Sequence, residues 1–193
     1  MIPVEKTIKK ETVLKNPIFT LVKHTVVTGS GAEKSRYIVE HKGAAAIAAV
    51  TGEGKLLMVR QYRKAVDQIV WEIPAGKIDP DEEPEEFIGK NGRKGLWRSV
   101  AERELREETG WKGVNWEPLC CICGSVGYCS EKIEIWRCDC ESRGSTDFDE
   151  DEYLELYEME IPKLVEMIGT GEIFDAKTIA AVLMLDRERK DAR

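Results

Sequence analysis

The segment Arg103-Glu104-Leu105-Arg106-Glu107-Glu108-Thr109-Gly110 crowds three glutamates into what reads as little more than one turn of helix. At about 100° per residue, Glu104, Glu107 and Glu108 fall within an arc of roughly 100°, facing away from Leu105. Like charges spaced i,i+4 destabilise an isolated helix by a few tenths of a kcal/mol or so, roughly, which makes this turn unfavourable unless a cation sits among the acids. Arg103 can pair with Glu107 one turn on, but one arginine does not neutralise three acids. Carboxylate oxygens without soft donors suit hard cations such as Mg2+ or Mn2+. A solvated acidic face would read the same way. The helix alone does not decide.

The elements that must position these acids are legible locally. Ser99 and Glu102 have capping-box spacing, and Gly110 stands where a left-handed C-terminal residue belongs. Trp97, Ala101 and Leu105 form an apolar stripe at four-residue spacing. Upstream, Trp71-Glu72-Ile73-Pro74-Ala75-Gly76 enters an acidic, proline-punctuated loop. Residues 12–42 read as antiparallel strands with a turn at Thr28-Gly29-Ser30-Gly31, which no helix follows, so those glycines read as a hairpin turn and not a phosphate loop. Strands are expected at 44–50, 55–63, 117–123, 131–140 and 153–159. Short and long helices are expected from Pro162 and over the closing DAKTIAAVLMLDRER. The class is α+β, a mixed sheet with helices packed on it.

Composition bounds the chemistry. The chain has 193 residues, 42% hydrophobic and 34% charged, enough for one domain with a core and a small appendage. No apolar run approaches the roughly 20 residues of a membrane span, and MIPVEKTIKK lacks the apolar stretch of a signal peptide, so the expected location is cytoplasmic. The net charge, 29 − 36 = −7, argues against sequence-independent nucleic-acid binding. The two histidines, His24 and His41, are not spaced as a metal pair. All six cysteines fall between Cys120 and Cys140. Their CxC pairs on strands are not the CxxC spacing of zinc knuckles, and they read as reduced thiols filling a core.

With Gly76 and Glu82 upstream and Arg103, Glu104, Leu105, Glu107, Glu108, Gly110 and Trp111 downstream, the chain resembles the Nudix hydrolase family. Its signature is G-x5-E-x7-R-E-U-x-E-E-x-G-U, with U a bulky apolar residue, and every fixed position is matched. The spacing departs once. Residues 83–102 are 20 where the family has seven, an excess of 13 placed at 87–99, FIGKNGRKGLWRS. Arg60-Gln61-Tyr62-Arg63, Glu72-Ile73-Pro74-Ala75-Gly76, Gly171-Glu172-Ile173 and Asp175-Ala176-Lys177-Thr178-Ile179 are similar to the ADP-ribose pyrophosphatase branch. The resemblance spans about residues 12–185. It implies an α/β/α sandwich around a mixed sheet, an N-terminal antiparallel β region over 1–42, a catalytic domain over 43–193, and a homodimer assembled through the N-terminal strands.

The resemblance also implies roles. Glu104 and Glu108 would hold Mg2+ or Mn2+ together with the backbone carbonyl of Ala75, supported by Glu82. Glu107 would be a third ligand or its close neighbour in catalysis, and Arg103 would orient the helix glutamates. The acidic loop 149–152 would supply Glu150 as catalytic base and Glu152 as a further ligand. Arg60, Arg63, Glu72 and Glu131 would bind substrate, with Trp71 or Tyr62 as stacking candidates. ADP-ribose enzymes of the family often carry Ser-Pro-Gly beyond the signature, where this chain has Ser125-Val126-Gly127. The expected reaction is metal-dependent hydrolysis of the diphosphate in ADP-ribose or a related sugar nucleotide. The rivals are the same chemistry on GDP-mannose, a dinucleoside polyphosphate or a damaged nucleoside triphosphate, and a non-catalytic ADP-ribose sensor.

Overall fold

The computed structural model describes residues 2–79, 95–146 and 153–191. Three strands come first, β1 (Lys6–Lys15), β2 (Thr20–Val27) and β3 (Glu33–Glu40), paired antiparallel in that order. The side chain of Asn16 shapes the first turn, its Oδ1 accepting from the N–H groups of Ile18 and Phe19 at 2.8 Å each. The second turn, at Thr28–Ala32, is the expected hairpin, with Gly31 at φ 83°. Every residue of β1 is exposed.

The main sheet follows with β4 (Ala44–Val50), β5 (Lys55–Arg63), β6 (Gln68–Glu72), β7 (Ala75–Lys77), β8 (Trp111–Ile122), β9 (Ile133–Arg143) and β10 (Leu154–Glu160). Its order is β10-β5-β4-β9-β8, with β6 on β5 and β7 on β4. It is mixed because β4 and β9 run parallel. The segment 71–79, expected only as the entry to a loop, instead holds the end of β6 and all of β7, whose pairing with β5 and β4 supplies the hydrogen bonds. Alternation along β4 divides the core. Ala46 and Ala48 face α2 (Ile161–Thr170) and α3 (Ala176–Asp191), while Ala45, Ile47 and Ala49 face α1 (Leu96–Thr109). A strand buried on both faces reads as a continuous apolar run, and alanine lets helices approach closely from either side. The result is the expected α/β/α sandwich.

Helix α1 differs from expectation at its start. It begins at Leu96, one turn before Ser99, with Gly95 as N-cap and no side-chain cap. The Ser99-to-Glu102 capping box does not form, since Ser99 Oγ donates to the Leu96 carbonyl and Glu102 takes Arg98 at 2.8 Å. The cause is tertiary. Trp97 is 8% exposed and packs with Val100, Ala101 and Leu105 against β4 and Trp136, so burial extends the helix backwards. Residues 96–99, assigned to the excess segment on spacing alone, therefore belong to the helix that carries the acids. The other end is as read, with Gly110 left-handed at φ 72°. The six cysteines are free thiols, and burial raises the pKa of Cys138 and pushes Cys140 up to about 12. No helix among the described residues is long and apolar enough to cross a membrane.

Candidate active site

Packing of α1 on the sheet turns its acidic face toward β7. A Cβ on Gly76 would lie 1.7 Å from Glu104 Cδ, so only glycine lets this carboxylate rest against the β7 backbone. Four residues on, Glu108 is 2% exposed, and its Oε2 accepts the N–H of Ala75 at 3.2 Å. The two glutamates thus bracket the Ala75–Gly76 segment from one helix face. Arg103 gathers the remaining acids. Its Nη1 donates to Glu107 Oε2 at 3.1 Å, and its Nη2 lies 3.0 Å from Glu104 Oε1 and 3.7 Å from Asp79 Oδ2. Burial alone would lower the Arg103 pKa, but Glu104, Glu107 and Asp79 outweigh it and raise it. The arginine stays charged and holds the acids in place.

All of these groups except Glu108 border a cleft of about 1090 Å³. Ala75, Gly76, Arg103, Glu104 and Glu107 line one side. Arg63, Glu72, Asp175 and Lys177 line another, and Ile18, Val39, His41 and Glu131 close a third beside the N-terminal sheet. Arg63 grips Glu72 with both arms of its fork, Nε to Oε1 at 2.6 Å and Nη2 to Oε2 at 2.9 Å. Glu72 is 4% exposed. Burial would raise its pKa, but the Arg63 hydrogen bonds and the Lys177 charge outweigh that and lower it. Glu131 lies 3.6 Å from His41 Nδ1.

Not every residue singled out in the sequence comes to the cleft. Arg60, an odd number of positions from Arg63, emerges on the other face of β5, with its guanidinium 5.5 Å from the ring centroid of Trp71 and Nη1 3.6 Å from Glu155. Trp71 packs edge-on to Tyr157, with centroids 4.8 Å apart. Tyr62 is exposed and donates to Asp67. Glu82, Glu150, Glu152 and most of 87–99 lie outside the described residues. Sequence reasoning gave no role to Lys177, Asp175 or His41. Lysine is unfavourable in the first turn of a helix, where the macrodipole is positive, so Lys177 there signalled a nearby acid.

Among the described residues, no three acidic, histidine or cysteine side chains converge as a ready-made cation cage. The donors that do meet, Glu104 and Glu108 around Ala75, are all hard oxygens, the chemistry that Mg2+ or Mn2+ requires. The site therefore fits a divalent cation of that kind.

Comparison with known proteins identifies the family. The NUDIX domain family matches residues 40–86, ending where the excess residues begin. The chain is 34% identical to an ADP-ribose pyrophosphatase of Bacillus subtilis (strain 168), over 94% of this chain and 92% of that one. It is 35% identical to a methanol dehydrogenase activator of Bacillus methanolicus, with the same coverage of 94% and 92%. A crystal structure of an ADP compounds hydrolase shares the fold, with a TM-score of 0.78 at 19% identity, over 100% of this chain and 96% of that one. By sequence along nearly its whole length and by the acids that its helix brings to β7, the chain belongs to the Nudix hydrolase family.

Proposed function

We propose that the protein hydrolyses the diphosphate linkage of ADP-ribose or a related nucleoside-diphosphate sugar, releasing AMP and a sugar phosphate, as a cytoplasmic homodimer. The observation that carries this reading is the pair Glu104 and Glu108 bracketing Ala75–Gly76, with Glu104, Ala75 and Gly76 lining a cleft that Arg63 also lines. Glu104, Glu108 and the Ala75 carbonyl would hold Mg2+ or Mn2+, joined by Glu82 and Glu152. The bound ion supplies Lewis acidity toward the diphosphate oxygens and a lowered pKa for attacking water. Arg103 keeps Glu104 and Glu107 oriented. Glu150 takes the proton of the water that attacks one phosphorus, and the bridging oxygen leaves with the other phosphate. Arg63 and Glu131 contact the substrate from the far walls. The exposed β1, with Ile8 50% and Val13 53% accessible, supports pairing of two copies through the N-terminal sheet.

Chromatography of AMP released from ADP-ribose tests the reading, within a panel that includes GDP-mannose, a dinucleoside polyphosphate and an oxidised nucleoside triphosphate. The expected result is AMP formation with Mg2+ or Mn2+, abolished by EDTA and indifferent to zinc. Binding without hydrolysis would make the protein a sensor, and preferential turnover of another compound would replace the substrate. The similarity to a methanol dehydrogenase activator favours a second reading, regulation of a dehydrogenase. A dehydrogenase assay with wild type and Glu104→Gln shows whether any activation depends on hydrolysis.

A further inference from the structure

Four charged groups on the cleft wall, two acidic and two basic, form a chain of which the proposed reaction uses only the last member, Arg63. Asp175 Oδ2 accepts from Lys177 Nζ at 3.0 Å, Lys177 Nζ also donates to Glu72 Oε2, and Glu72 accepts both arms of the Arg63 fork. Lys177 and Glu72 are 7% and 4% exposed, whereas the Arg63 side chain at the far end is 45% exposed and lines the cleft. Both Glu72 oxygens are occupied by protein donors. The Arg63 fork is spent on Glu72 through Nε and Nη2, and Nη1 has no hydrogen-bond partner among the described residues.

We propose that Lys177 is a positioning residue for substrate: it fixes Glu72, Glu72 fixes the Arg63 guanidinium, and Arg63 thereby presents Nη1 to an oxygen of the bound nucleotide sugar. Glu72 then acts through Arg63 and not on substrate directly. A buried carboxylate facing only a half-exposed arginine is poorly compensated, and a second buried cation completes the pairing. The first turn of α3 clamps the backbone as well. Thr178 Oγ1 accepts the N–H of Ile73, next to Glu72, while Asp175 Oδ2 accepts from Thr178 N at 3.1 Å and from its Oγ1 at 2.6 Å. Lysine in this turn works against the helix macrodipole. Stability alone would be served as well by an apolar pair.

This inference rests on the proposed substrate class, and its test separates the two. Wild type, Lys177→Met, Lys177→Arg, Arg63→Ala and the double variant Arg63→Ala/Lys177→Met are compared by thermal midpoint, kcat, KM and calorimetric binding of ADP-ribose in EDTA, where turnover is off. Loss of the Arg63 contact predicts that Lys177→Met raises KM and Kd about tenfold while kcat changes less than about threefold. Lys177→Arg restores most of the loss. In the Arg63→Ala background, Lys177→Met adds less than about twofold, the non-additivity of residues acting through one contact. Additive losses, or an unchanged Kd in folded Lys177→Met, overturn the proposal. Should Lys177→Met not fold, the charge-balanced pair Glu72→Gln/Lys177→Met replaces it, and wild-type Kd in that pair is equally fatal. A wild type that ignores ADP-ribose but cleaves another compound of the panel overturns the substrate reading alone, and the same variants are then scored on that compound.

Discussion

Glu104, Glu107 and Glu108 were legible as a group because helical period puts them on one arc, and the resemblance to the Nudix signature gave them the Ala75–Gly76 segment as partner. The structure adds why that partner is glycine, since Glu104 occupies the space of its side chain. Replacing Glu104 or Glu108 by Gln should leave a folded protein and cost on the order of 10³-fold in kcat, several kcal/mol of transition-state stabilisation. Wild-type kcat in either folded variant would remove the metal assignment. What the sequence could not show is pairing over distance. Glu72 meets Lys177 across 105 positions, and nothing local joins them. Arg60 and Arg63, by contrast, were separable by the two-residue period of a strand. Glu72 also has a pH consequence. Its folded pKa is lowered, so its contribution is complete above the ordinary value of 4.5 and is lost as pH falls through the lowered value. Thermal midpoints followed into acid should fall more steeply in wild type than in Glu72→Gln. Parallel curves would show that the carboxylate is not held as described.

At the scale of elements, the end of α1 was readable and its beginning was not. A left-handed glycine is a local requirement, whereas the extra first turn exists because Trp97 finds a pocket on β4 and Trp136, a tertiary cause that overrides capping chemistry. The short strands β6 and β7 were missed for a related reason, since they pair with distant partners and carry little periodicity of their own. The difference matters for the excess segment. Deleting 87–94 should leave the core intact and kcat unchanged, while removing Lys90, Arg93 and Lys94 raises KM at low salt by weakening attraction of an anionic substrate. Deleting 87–99 also removes Trp97 and should cost about 3–5 kcal/mol, the typical loss of a buried aromatic. Equal stability of the two deletions would contradict the placement of α1, and an unchanged low-salt KM in the shorter one would remove the steering role.

The whole molecule is a sheet covered on both sides, with a separate three-stranded sheet beside the cleft. A buried central strand was legible because AAAIAAV is too short for a helix and too apolar for a half-exposed strand, while the sandwich itself came from the family resemblance. The cleft was not legible, because its walls come from β3, β5, β6, β7, α1 and the start of α3 together. The parallel pairing of β4 with β9 joins Ala44 to Ile133, a separation of 133 − 44 = 89 residues, through the middle of the sheet. A chain emerging from the ribosome therefore completes β4 long before its parallel neighbour β9 exists, and that edge of the strand must wait for the rest of the message. Such non-local closure makes folding slow and leaves a window in which aggregation competes. Shortening the closure by the eight residues 87–94 changes its entropy by only about 0.1 kcal/mol, so stopped-flow refolding of that deletion should match wild type. A marked acceleration in the deletion would contradict so weak a dependence of the β4–β9 closure on loop length.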